Sequence, residues 1–174
     1  VKLNIDESIN EIQRPISVSN ESASVPDGFA RWQKTNVEKQ SQGGFNSVFI
    51  GLESGDITAN QLRSVAEIIR DYSAEGFARN GFSQNIVIRY VHDDDLKSMY
   101  SNLLETGLAK TGSLTMASAV GCSGTTSCNL ALTNSHRLAK EVQRKFLELK
   151  LDEDDDLKDS TIKISGCPNS CGQH

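Results

Sequence analysis

Phe45-Asn46-Ser47-Val48-Phe49-Ile50-Gly51-Leu52-Glu53-Ser54-Gly55-Asp56-Ile57-Thr58-Ala59-Asn60-Gln61-Leu62 holds a strand, a turn and the start of a helix in one continuous run. Phe45 to Leu52 is rich in β-forming residues, with Val48, Ile50 and Leu52 on one face. Glu53 to Asp56 reads as a turn. Thr58 and Gln61 then form a Thr-x-x-Gln capping box, in which each side chain satisfies a free backbone N–H at the helix start. Leu62, Val65, Ala66, Ile69 and Tyr72 follow at helical spacing, so the helix is expected to run to about Ser73.

The pattern repeats downstream. Gln84 to Val91 reads as a second strand. Asp93-Asp94-Asp95 supplies a cap and acidic first-turn residues that suit the positive end of a helix dipole. Leu96, Met99, Tyr100 and Leu103 make the buried stripe of that helix. Upstream, Ala30 to Val37 is a possible further strand. Strand–helix–strand–helix suits helices packed on one face of a small sheet. Residues 1–28 are polar and weakly periodic, with a Ser-rich stretch between Pro15 and Pro26, and read as a linker or extended arm.

A second block begins near Gly107. Ser113 to Val120 is expected as a strand. A helix after Cys128 would place Leu132, Ala139, Val142, Phe146 and Leu149 on one side. The acidic run 152–156 reads as a solvated loop, and Thr161 to Ser165 as a short strand with Ile162 and Ile164 facing one way. Trp32, Met99 and Met116 read as core or gap-filling residues. His92 and His136 read as a turn residue and a helix-surface residue.

Composition bounds the function. The chain has 174 residues, 37% hydrophobic and 24% charged, with a formal net charge of −5, which suits a globular protein. No dense basic run argues for a nucleic-acid partner. No apolar run approaches the ~20 residues of a membrane span. The opening residues carry no signal-peptide pattern, so a cytoplasmic setting is expected, and the absence of an initial Met suggests a segment of something longer. The four cysteines all lie in the last third, and without secretory features thiols are the default state.

Cys122 and Cys128 form Cys-x5-Cys; Cys167 and Cys171 form Cys-x3-Cys. Each pair sits in a loop leaving an expected strand, where ligands gather in open α/β layers. Small residues around them let backbone approach a bulky inorganic group. Four thiolates suit structural zinc or an iron–sulfur cluster. Cys-x5-Cys is wide for a zinc pair, which favours the larger cluster, but the chemistry alone leaves both open.

Cys-x5-Cys, about forty intervening residues and Cys-x3-Cys resemble the cluster signature of the sirohaem-dependent sulfite and nitrite reductases. Gly166-Cys167-Pro168-Asn169-Ser170-Cys171-Gly172 looks like that family's second cysteine loop. Residues 51–62 resemble its ferredoxin-like half-domain, and Arg79-Asn80-Gly81-Phe82-Ser83-Gln84-Asn85-Ile86-Val87-Ile88 its strand entry beside the macrocycle. Gly81 departs from the pattern, since the family often has Thr there. The resemblance covers about residues 29–174.

It implies an α/β (α+β) fold: a ferredoxin-like half-domain at 29–106, followed at 107–174 by part of an α/β domain that binds a [4Fe–4S] cluster and sirohaem. It implies six-electron reduction of nitrite to ammonia or sulfite to sulfide, with a slight lean to nitrite. Sirohaem does the chemistry and the cluster delivers electrons one at a time. Cys122, Cys128, Cys167 and Cys171 would ligate the cluster, and Cys171 would also bridge to the sirohaem iron. Arg79 would pair with a sirohaem carboxylate, Gln84 and Asn85 would contact the macrocycle, and Asn169 would hydrogen-bond near either cofactor. As plain structure, the same residues read as a solvated loop Arg, a polar strand start and a turn former. The partners implied are the remainder of the same enzyme, a ferredoxin or flavoprotein donor, and the nitrite or sulfite anion. The family's anion-gripping residues come mainly from a first half that this sequence does not match, so the chain alone is expected to be inactive. The competing expectation is a zinc- or cluster-binding interaction module without catalysis.

Overall fold

The computed structural model describes residues 25–157 and 160–173. Most of the expected N-terminal arm, and His174, lie outside them.

The capping box at Thr58 and Gln61 forms as read, and starts helix α2 (Ala59–Tyr72). It follows strand β2 (Phe45–Ile50) through a tight turn in which Ser54 and Gly55 both have positive φ and the Asp56 N–H donates to the Glu53 carbonyl at 3.1 Å. Strand β1 (Val37–Lys39) precedes β2, and β3 (Ala78–Asn80) and β4 (Ile86–His92) follow α2. The sheet order is β1-β2-β4-β3, antiparallel throughout. Val48 and Ile50 on β2 and Ile86 and Ile88 on β4 are buried against α2 and against α3 (Leu96–Glu105). The α3 stripe Leu96, Met99, Tyr100 and Leu103 is buried as expected. A 3-10 turn at Asp93–Asp95 leads into it, capped by His92, whose imidazole accepts from the Asp94 N–H.

Several local expectations are corrected. Residues 30–37 are not a strand: Phe29–Asn36 is helix α1. Its buried positions are Phe29, Trp32, Thr35 and Asn36, a helical period concealed by two polar members. Asn36 is buried because its amide donates to the Phe49 and Lys110 carbonyls at 2.8 and 2.9 Å, with Ser113 Oγ 2.7 Å from the same nitrogen. On α2, Leu62 and Ala66 face outward, while Ile68 joins Val65, Ile69 and Tyr72 in the core.

In the second block, residues 113–119 are turns, and β5 is only Val120–Gly121. Thr115 Oγ1 donates to the Gly112 carbonyl and accepts the Ala117 N–H, so a side chain takes backbone partners that a strand would need. Helix α4 (Ser135–Glu148) starts at Asn134, whose side chain accepts the Arg137 N–H. Only Ser135 and Ala139 are buried on it; Val142 and Phe146 are half-buried, and Leu132 and Leu149 are exposed beyond its ends. Strand β6 (Lys163–Ile164) pairs with β5 in parallel, and Ile162 and Ile164 are half-buried. Among the described residues no helix is long and apolar enough to cross a membrane.

The acidic run is not wholly solvated. Asp152 is buried and accepts from Arg31 Nε at 2.9 Å, with Glu153 on the same guanidinium at 3.1 Å, so the run ties α1 to the second block. Asp152→Ala is expected to lower unfolding stability by about 2 kcal/mol, less than a fully buried pair because Glu153 still reaches Arg31. Asp156→Ala, at an exposed position, is expected to shift it by less than about 0.5 kcal/mol. Equal urea midpoints for the two variants would contradict the tie.

Candidate functional site

Parallel pairing of β5 with β6 aligns Val120 with Lys163 and Gly121 with Ile164, so both strands end at the same edge. Cys122 follows β5 directly, and Cys167 lies three residues after β6. The two cysteine loops therefore leave the same end of one ladder. They are also bonded to each other: the Gly166 N–H donates to Cys122 Sγ at 3.2 Å, and the Gly166 carbonyl accepts from the Leu132 and Thr133 N–H groups at 2.8 and 3.1 Å.

Glycines make this crossing possible. A Cβ on Gly166 would lie 2.9 Å from the Thr133 carbonyl oxygen and 3.1 Å from Gly124 Cα. A Cβ on Gly172 would overlap the Ile164 carbonyl, so the second loop folds back onto the end of β6. The Gly172 N–H is held by Ser165 Oγ at 3.0 Å. In the first loop the Cys128 N–H donates to the Gly124 carbonyl at 3.0 Å.

All four cysteines are free thiols; Cys122, Cys128 and Cys167 are half-buried and Cys171 is exposed. The Ser135 hydroxyl, 3.0 Å from Cys122 Sγ, holds that thiol below its ordinary value, helped by backbone N–H groups of Gly166 and Gly124 and opposed by burial. Ser135 comes from the first turn of α4, so the helix start is part of the site.

The remaining expected residues are placed as follows. Gln84 precedes β4 with φ +54°, and both ends of its amide are engaged by Gly121. Asn85 is buried, and its Oδ1 has no hydrogen-bond partner. That oxygen fills the position a Cβ on Gly81 would need, so the departure at residue 81 is matched to Asn85 rather than being open space. Arg79 lies on β3, paired with Glu75 and stacked 4.4 Å over the Phe77 ring. Asn169 is exposed on the turn between Cys167 and Cys171.

Three contributors lay beyond sequence reading. Ser135 and Gly121 act through contacts distant in sequence. Phe82 is 90% exposed and its backbone carbonyl accepts from Gln173 Nε2 at 3.1 Å, which ties residue 82 to the end of the second cysteine loop. An aromatic inside the otherwise polar run Gly81 to Asn85 was the only hint.

A cleft of about 510 Å³ between Leu52, the 109–118 segment and α4 contains no cysteine. Its cations Lys110, Lys140 and Arg144 are paired with Glu53, Asp56 and Glu141.

The donor set fits a thiolate-ligated cluster. Four uncommitted thiols stand on two glycine-cradled loops at one ladder end, and backbone N–H groups already point at sulfur. Among the described residues no three His, Cys, Asp or Glu side chains gather where one metal ion could be held, so the four thiols share a ladder end without converging on one point. For a macrocycle, the fitting feature is the exposed turn at Cys171, with the exposed Phe82 tied through its backbone carbonyl to Gln173.

Residues 38–106 match the nitrite/sulfite reductase ferredoxin-like half domain. The ferredoxin–nitrite reductase of Synechococcus elongatus is 29% identical over 145 residues, covering 82% of this chain and 27% of that protein. The chloroplastic ferredoxin–nitrite reductase of Spinacia oleracea is 26% identical over 150 residues, 86% of this chain and 24% of its own length. The chain thus spans about a quarter of the curated relatives it matches. Among solved structures, the Mycobacterium tuberculosis NirA protein superposes with a TM-score of 0.59 at 23% identity, over 80% of this chain and 25% of that one, a likeness of fold. The fold is mixed α/β, residues 38–106 form a domain like the nitrite/sulfite reductase ferredoxin-like half domain, and most of the chain is similar to ferredoxin–nitrite reductases.

Proposed function

We propose that this chain is the cofactor-holding part of a reductase that converts nitrite to ammonia or sulfite to sulfide. The observation that carries the reading is the shared ladder end of β5 and β6, which brings Cys-x5-Cys and Cys-x3-Cys together, with the Gly166 N–H on Cys122 Sγ. Cys122, Cys128, Cys167 and Cys171 would hold a [4Fe–4S] cluster, and Cys171, the exposed member, would also contact sirohaem. When bound, these groups supply the six-electron reduction, and the protein supplies position and electrostatics.

The chain's own residues have separate tasks in this reading. Ser135 and the Gly166 N–H stabilise Cys122 as a thiolate, the form that ligates metal. The buried Asn85 side chain packs on Gly81 and shapes the entry to β4. Arg79 exchanges Glu75 for a macrocycle carboxylate, a planar pairing that suits guanidinium. Asn169 hydrogen-bonds at the turn between the second cysteine pair. The names of the two nitrite reductases support nitrite over sulfite and ferredoxin over a flavoprotein as donor. A cytoplasmic setting suits four free thiols.

The residues that grip the substrate anion lie outside this sequence in our reading. The purified 174-residue chain, supplied with iron, sulfide and sirohaem, is expected to take up electrons from reduced viologen. It is also expected to produce no ammonia from nitrite and no sulfide from sulfite. Sustained turnover of either anion by this chain would contradict that assignment, and failure to accept electrons would contradict the cofactor-holding role.

A further inference from the structure

We propose that Gln84 is a positioning residue for the cysteine site: its amide replaces a neighbouring strand on Gly121 and thereby fixes Cys122. Importance for ligation rests on the reading above that Cys122 holds a cluster; the positioning itself rests on geometry alone.

Along β5 the backbone groups alternate. The Val120 and Cys122 N–H groups donate to the Ile162 and Ile164 carbonyls of β6, at 2.9 and 3.1 Å. Gly121 between them points its N–H and carbonyl the other way, toward an edge that no strand among the described residues occupies. Gln84 closes that edge. Its Nε2 donates to the Gly121 carbonyl at 2.8 Å, and its Oε1 accepts the Gly121 N–H at 3.2 Å. One primary amide thus makes both bonds of a peptide neighbour, and a buried edge is left without unpaired backbone groups.

The arrangement is built to be rigid. Gln84 has a left-handed backbone, φ +54°, which a residue with a side chain adopts only when its surroundings require it. Its Cβ stands 3.4 Å from where a Cβ on Gly55 would be, so the turn after β2 backs it. Gly121 has no room on its other side: a Cβ there would lie 2.8 Å from Ala139 Cβ and 3.0 Å from the Ser135 carbonyl oxygen of α4. The half domain, β6 and α4 therefore meet at Gly121. The next residue is Cys122, whose carbonyl oxygen and Sγ each lie 3.0 Å from Ser135 Oγ. A change at Gln84 is transmitted to the first ligand through one peptide.

The test compares Gln84→Met and Gln84→Glu with the parent 174-residue chain, all metal-free. Met keeps the length and the backbone strain but can neither donate nor accept. Glu keeps one acceptor for the Gly121 N–H and loses the donor. Hydrogen exchange is read at Gly121 and across α2, and iodoacetamide labelling of Cys122 is read relative to exposed Cys171. Gln84→Met is expected to speed exchange at Gly121 about tenfold, the value of one such hydrogen bond, and to raise the Cys122 to Cys171 labelling ratio severalfold. Gln84→Glu is expected to fall between, with α2 unchanged in both. Unchanged Gly121 exchange and labelling ratio in Gln84→Met would overturn the proposal. So would loss of α2 protection in both variants, because Gln84 would then hold the half domain rather than the loop. Neither readout needs a cluster, so failure of the parent to assemble one would remove the functional reading and leave this one decided.

Discussion

Gly124→Ala is expected to destabilise the chain by about 3 kcal/mol and to abolish ordered ligation by the first cysteine loop. Two costs add. Gly124 has φ +53°, a conformation that costs a residue with a side chain roughly 1–2 kcal/mol. The new Cβ would also lie 2.6 Å from Ser135 Oγ, 2.7 Å from the Ser135 nitrogen and 2.8 Å from the Thr133 carbonyl oxygen. Two of these three are backbone atoms, so relief requires moving the start of α4, and overpacking of this kind costs about 1–3 kcal/mol. The same displacement moves Ser135 from Cys122 and the Gly124 carbonyl from the Cys128 N–H. Gly43→Ala is the matched control, since nothing lies within 4 Å of a Cβ there and its φ is ordinary. Urea unfolding and iron uptake should separate the two variants; indistinguishable behaviour would mean that the loop is not under this constraint.

Trp32→Ala is expected to cost about 4 kcal/mol, within the range for deleting a buried large aromatic. Trp32 is fully buried and packs 5.0 Å from Tyr100 and 6.0 Å from Phe29, centroid to centroid, fastening α1 to α3. Its Nε1 is buried without a partner, which itself costs about 1–3 kcal/mol. Trp32→Phe removes that N–H while keeping an aromatic ring, so it is expected to cost less than about 1.5 kcal/mol. Trp32 is the sole tryptophan, so fluorescence of the parent reports this core directly, and circular dichroism serves both variants. Equal losses for Ala and Phe would contradict the role given to the packed aromatic ring.

The elements with clean apolar periods were legible: β2, β4, α2 and α3 stand where the alternation and the capping box put them. Reading failed where polar groups decide the structure. Thr35 and Asn36 are buried through hydrogen bonds, which disguised α1 as a strand. Thr115 converted the expected strand at 113–120 into turns by occupying backbone groups. Asp152 was read with its acidic neighbours because its partner, Arg31, is distant in sequence. The same holds at the site. The cysteine spacings are visible in the sequence. The parallel pairing that joins the loops, the Ser135 hydroxyl, and the Gln84 amide on Gly121 are long-range contacts with no local pattern to announce them.

The central claim is that the four cysteines hold an iron–sulfur cluster. The most direct test is to measure iron, zinc and acid-labile sulfide per chain on protein purified without oxygen, for the parent and for single Cys→Ser variants at 122, 128, 167 and 171. The account predicts about four iron and four sulfide in the parent, no zinc, and a marked loss of both in every variant. About one zinc per chain with no sulfide would contradict it.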